Sequence, residues 1–167
     1  MNRSPILEDH YNYSRRLDQQ LRDHDHAAAA ATARAMIDIA ESVSAEMHSP
    51  GSFRESFGMP SHLGYDYLTD KGYLVGVCDT EEAIRLCEKA AKEGWFGFWD
   101  ERIDGIKAHE EELSKAKAVI RETPEIVQSE LLKQYPEISS MTLYYADIRG
   151  DILRTKKGRS YTLRVAS

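Results

Sequence analysis

From residue 6 to residue 48 no Pro or Gly interrupts the chain. Apolar or small positions recur there at Leu17, Leu21, His24, Ala28, Ala31, Ala35 and Ile39, then Val43 and Met47. Steps of three and four residues draw a single stripe along a helix, and "HAAAAATARAM" has high helix propensity. The pattern predicts one long helix, or two in line, before "SPGS" at Ser49–Ser52. A helix of that length has no means of burying its stripe on itself. Either it pairs with a second copy, antiparallel or coiled-coil-like, or it packs across its own subunit. The Ala-rich stripe allows close helix approach but makes a weak heptad seam. A homodimer through this N-terminal helix is the expected partner relation.

Residues 49–72 carry Pro50, Gly51, Gly58, Pro60, Gly64 and Gly72 and read as an irregular linker. Within "YDYLTDKGYLVGVCD" a hairpin is expected at Asp70-Lys71-Gly72, with "YLVGVC" as a buried strand. "TEEAIRLCEKAAKEG" reads as a helix with Thr80 as N-cap and Gly94 as C-cap. Another charged helix follows, from about Asp100 to Glu122. Between the two lies "GWFGFW", with four aromatics in five residues. It fits a core or interface plug, or else a platform for bases or a partner.

No apolar run approaches the ~18–20 residues of a membrane helix, and the polar "MNRSPILEDHYNYSRRLDQQ" does not read as a signal peptide. The expected compartment is the cytoplasm or nucleoid. Cys78 and Cys87 fit buried structural thiols, being too few for a zinc site. In "DHDH", His24 and His26 would point about 200° apart on a regular helix and so could not grip one ion. Asp100, Asp104, His109 and Glu110 read as a solvated helix face. There is no phosphate-cradling glycine loop, nucleophile elbow or HExxH motif. The chain therefore reads as non-enzymatic, with no cofactor and no metal.

Charge is uneven. The chain carries a formal net charge of −6 from 22 basic and 28 acidic residues. Residues 123–167 hold seven of the basic and five of the acidic ones, leaving fifteen and twenty-three for residues 1–122. Phosphate attraction is short-ranged at physiological salt, so a locally basic face suffices for nucleic acid even on an acidic protein.

That basic end is also the most patterned. "TPEIVQSELLKQYP" predicts a helix with Thr123 as N-cap, Pro124 first in the helix and Pro136 as its stop. "SMTLYYADIR" predicts a second helix, capped by Ser139 or Ser140 and ended by Gly150. Two strands, about Ile152–Lys156 and Ser160–Val165, are expected to turn at Lys157-Gly158. On the second helix Met141, Tyr144 or Tyr145, and Ile148 fit the buried side. Ser140, Thr142, Tyr145 and Arg149 are left to face bases and phosphates.

The order helix, turn, helix, basic hairpin in "QSELLKQYPEISSMTLYYADIRGDILRTKKGRSYTLRV" resembles the winged helix-turn-helix family. The resemblance implies that Ser139–Arg149 is a recognition helix in the major groove of double-stranded DNA. It also implies that Lys156, Lys157 and Arg159, with Arg154 on the same hairpin, lie beside phosphates or in the minor groove. A dimer would set two such modules on half-sites about one helical turn apart.

The expected fold is mainly α, with a C-terminal β-hairpin wing. The expected division is a helical oligomerisation region over 1–50, a linker with possible hairpin, helix and aromatic cluster over 51–99, and a winged helix domain over 100–167. The expected role is a DNA-binding transcriptional regulator. Two alternatives stay open: a protein–protein interaction module whose winged helix grips protein, and a sensor binding a small molecule among the aromatics of residues 49–99.

Overall fold

A computed structural model describes residues 4–49 and 58–167. The chain is mainly helical, with one small antiparallel sheet and a β-hairpin near its C-terminus, as expected. It divides into two compact units: residues 1–73 with 77–103, and residues 74–76 with 104–167.

Over residues 6–48 the N-terminal unit contains neither one long helix nor two in line but three helices, the first packed against the other two. Helix α1 (Pro5–Arg22) opens with Pro5 in its first turn, where the missing N–H costs nothing. It stops because His24 takes a left-handed backbone, φ 56°. Asp25 then caps helix α2 (His26–Asp38), its carboxylate accepting the Ala28 N–H at 3.0 Å. "DHDH" is thus a helix break, made without Gly or Pro. Helix α3 (Ala40–Met47) follows, and α1 packs against both α2 and α3.

The break resets the helical phase. Leu17, Val43 and Met47 are buried as expected, but His24 and Ala31 are exposed, and Ala29, Ala30, Ala33, Met36, Ile37 and Ala40 fill the interior instead. The stripe is consumed within one unit, which removes the ground for a dimer through an N-terminal helix. The expected boundary near residue 50 is likewise not seen, since α1–α3 share their unit with the elements that follow.

Pro50 and Gly51, expected in the linker, lie outside the described residues. The expected hairpin at Asp70–Gly72 is helical instead: α4 (Leu63–Tyr67) runs into a π-helical turn, Leu68–Gly72. The apolar run over residues 73–78 is no strand either: Tyr73 and Leu74 end the helix, and residues 75–78 turn away, with only Tyr73 and Cys78 of the run buried, an ambiguity that periodicity leaves open for short apolar runs. Helix α5 (Thr80–Lys92) is capped by Asp79 rather than Thr80, the carboxylate accepting the Glu82 N–H at 2.8 Å. Gly94 follows α5 with φ 79°, as a C-terminal glycine should.

Half of the aromatic knot is core. Trp95 and Trp99 are buried, while Phe96 and Phe98 are exposed and contact each other edge to face. Beneath it, Glu93 accepts from Tyr65 Oη at 2.8 Å, Trp95 Nε1 at 3.1 Å and Lys89 Nζ at 2.6 Å. Cys78 and Cys87 are buried thiols, as expected, and burial pushes Cys78 up to about 12.

Helix α6 (Trp99–Glu122) leads into the C-terminal unit. Residues Thr123–Pro124, expected to open a helix, form a turn instead. Ile126–Val127 is strand β1, and helix α7 (Gln128–Gln134) starts at the very next residue. Helix α8 (Ser140–Arg149) begins at Ser139, whose Oγ accepts the Thr142 N–H at 3.1 Å, and ends at Gly150 with φ 81°. Strands β2 (Ile152–Lys157) and β3 (Ser160–Val165) form a hairpin around Gly158, φ 64°. The sheet order is β1-β3-β2, with Ile126 opposite Leu163 and Lys156 opposite Tyr161. Leu113, Ala116 and Ile120 of α6 join Leu131, Ile138, Leu143, Ala146, Ile152 and Leu163 in one apolar core. None of the helices among the described residues is long and apolar enough to cross a membrane.

Candidate nucleic-acid interface

Helix α8 presents a different face from the one its sequence advertises. Leu143 and Ala146 point into the core with Thr142, while Met141, Tyr144 and Ile148 are 54%, 44% and 46% exposed. The expected buried side is therefore the outer side. Two stripes competed along this helix, and the more hydrophobic one was the obvious choice. The core beneath took the smaller one, because Leu143 and Ala146 fit the space above Ile152 and Leu163.

The inversion redistributes the expected contact residues. Ser140 lies on the exposed face and Tyr145 is half-buried at its margin. Thr142 is buried and accepts the Ser139 hydroxyl at 3.0 Å. Arg149 stands seven residues beyond Thr142, nearly two full turns, and so shares its inward side. Its side chain is only 15% exposed, and the guanidinium pairs with Glu110 at 2.9 Å and Asp151 at 3.0 Å. Thr142 and Arg149 hold α8 in place rather than offering groups to a ligand. Close by, burial and the Arg149 charge push His109 below its usual value.

The hairpin carries the accessible charge. Lys156, Lys157 and Arg159 are exposed at its tip and form no ion pair among the described residues. Arg164, by contrast, pairs with Glu125 at 3.0 Å. Arg154 donates to Gln128 Oε1 at 3.0 Å, and its guanidinium lies 4.3 Å from the Tyr161 ring centre and 5.9 Å from that of Tyr144. Asp147, the carboxylate on α8, accepts the Arg154 N–H at 3.1 Å, tying the helix to β2. The aromatic components Tyr144 and Tyr161 were not singled out from sequence as one site. The two residues lie seventeen apart, and only the hairpin register joins them through Arg154.

In the N-terminal unit a cavity of about 320 Å³ is lined by Glu41, Ser44, Ala45, Lys89, Lys92 and Glu93. Structural bonds already engage several of its polar groups: Ser44 Oγ donates to the Glu93 carbonyl at 2.7 Å, and Lys89 holds Glu93. Among the described residues no group of three or more His, Cys, Asp and Glu is placed to hold a metal ion. Comparison of this chain with protein-family models, with curated proteins and with solved structures finds no match.

Proposed function

We propose that the C-terminal unit is a winged helix that binds DNA, the activity of a transcriptional regulator working where the genome lies, in cytoplasm or nucleoid. The observation that carries this reading is the trio Lys156, Lys157 and Arg159, exposed and without carboxylate partners among the described residues, on a hairpin joined to α8. Cations free of internal pairing displace counterions from DNA, so each contributes salt-sensitive affinity. Ser140 and Tyr145 remain on or beside the open face of the helix, whereas Arg149 and Thr142 do not form part of the proposed surface.

The test is binding to mixed-sequence DNA at two salt concentrations. Three phosphate contacts predict a loss of roughly fortyfold in affinity between 50 and 200 mM salt. Lys156→Glu with Lys157→Glu should abolish binding, while the fold remains intact because both side chains point into solvent. Affinity indifferent to salt and to the double substitution refutes the reading. A second reading, a winged helix that docks on protein, is favoured by the exposed apolar stripe of Met141, Tyr144 and Ile148.

A further inference from the structure

The face of α8 beside the basic hairpin is apolar and aromatic, an unusual surface for reading duplex edges. In the major groove each base pair offers donors, acceptors and, for thymine, a methyl group. Met141, Tyr144 and Ile148 would cover those edges largely with carbon and leave base donors and acceptors without partners, which is costly. A base freed from its pair offers a different surface. It has a π-face that stacks on an aromatic ring whatever its identity.

The aromatic surface continues past the helix. Tyr144, Arg154 and Tyr161 form a ladder in which the guanidinium lies between two rings, at 5.9 and 4.3 Å from their centres. Lys156 stands directly opposite Tyr161 in the strand register, so the ladder runs into the cationic tip. Stacking surface alongside a track of positive charge is the chemistry that holds a single strand, bases on the rings and phosphates on the cations.

We infer that this site takes single-stranded DNA, or the unpaired bases of a partly opened duplex, in preference to an intact duplex. The inference rests on the DNA-binding reading of the same unit and names its substrate. Tyr144 is the main stacking ring, and the charge complementarity of the hairpin selects a polyanion over an apolar protein segment for this face.

The experiment uses the full chain with a single strand containing 2-aminopurine and a blunt duplex of equal phosphate number. The single strand should bind more tightly, and its 2-aminopurine fluorescence should be quenched on binding. Tyr144→Ala should weaken single-strand binding about tenfold, the effect of one lost stacked base, and weaken duplex binding by a much smaller factor. Tyr144→Phe should keep both affinity and quenching. Equal or tighter binding to the blunt duplex, no quenching, and no effect of Tyr144→Ala would overturn the stacking inference while leaving DNA binding in place. No binding to either DNA by the folded wild-type protein would overturn both, and would transfer the stripe to a protein partner.

Discussion

Acidification from pH 7 to pH 5 should destabilise the N-terminal unit through His62. This ring is fully buried, with the ring centres of Trp95, Tyr65 and His10 at 4.6, 4.9 and 5.2 Å. Its Nδ1 accepts the Tyr65 N–H at 3.3 Å, so the proton of the neutral ring resides on Nε2, which has no hydrogen-bond partner among the described residues. Burial first, then repulsion from His10 and Lys89, push His62 down to about 3. The unfolded chain takes up a proton near pH 6.5 while the folded one resists, so stability is complete above that value and declines as pH falls toward 3. Between pH 7 and pH 5 the loss should be about 2 kcal/mol. Urea denaturation followed by tryptophan fluorescence reads this unit, since Trp95 and Trp99 both lie in it. In His62→Asn the side-chain oxygen can still accept from Tyr65, and Asn is a good N-cap. The variant should start less stable at pH 7 but lose about 2 kcal/mol less on acidification. His26, also lowered by burial, contributes to both proteins and cancels in the difference. Equal losses in the two proteins, or a His62 ring that titrates near 6.5 by NMR in the folded state, would refute the reasoning.

Two further substitutions probe the scaffold, alongside the hairpin and Tyr144 variants described above. A Cβ on Gly64 would come within 2.9 Å of the Ala33 carbonyl oxygen and 3.3 Å of Met36 Cβ. Gly64→Ala should therefore destabilise by roughly 1–3 kcal/mol in the same denaturation assay, and the modest stabilisation usual for Gly→Ala in a helix would contradict the close approach of α4 to α2. Arg149→Ala should lower the melting temperature of the C-terminal unit by the equivalent of about 1–3 kcal/mol, because Glu110 and Asp151 lose their shared cation. DNA affinity of the folded variant should stay at the wild-type level, and a selective loss of affinity at constant stability would return Arg149 to the interface.

Much of the C-terminal unit could be read directly from the chain because its signals are local. Ser139 supplies an N-cap, Gly150 a left-handed terminus and Gly158 a tight turn, and each fixes backbone geometry within a few residues of itself. The exposed charge of Lys156, Lys157 and Arg159 was legible for the same reason, since a hairpin tip has little around it to bury a side chain. The side of α8 that faces inward was not legible. Two helical stripes were available, and the choice between them depended on the volume left by Leu113, Ile120, Ile152 and Leu163, residues on other elements.

Capture of Arg149 by Glu110, thirty-nine residues earlier, likewise needed α6 and α8 to be side by side. Over residues 5–47 the sequence determined helix content but not helix length. A run without Gly or Pro permits a long helix, yet Asp25 can cap a new one, and His24 can turn left-handed once α1 and α2 gain by packing on each other. Local signals thus set the helicity of residues 5–47, of α5, α6 and α8, and where the positive charge ends up, but not the helical state of residues 63–72. Only tertiary packing decided which faces were buried, because burial depends on neighbours that sequence proximity does not specify.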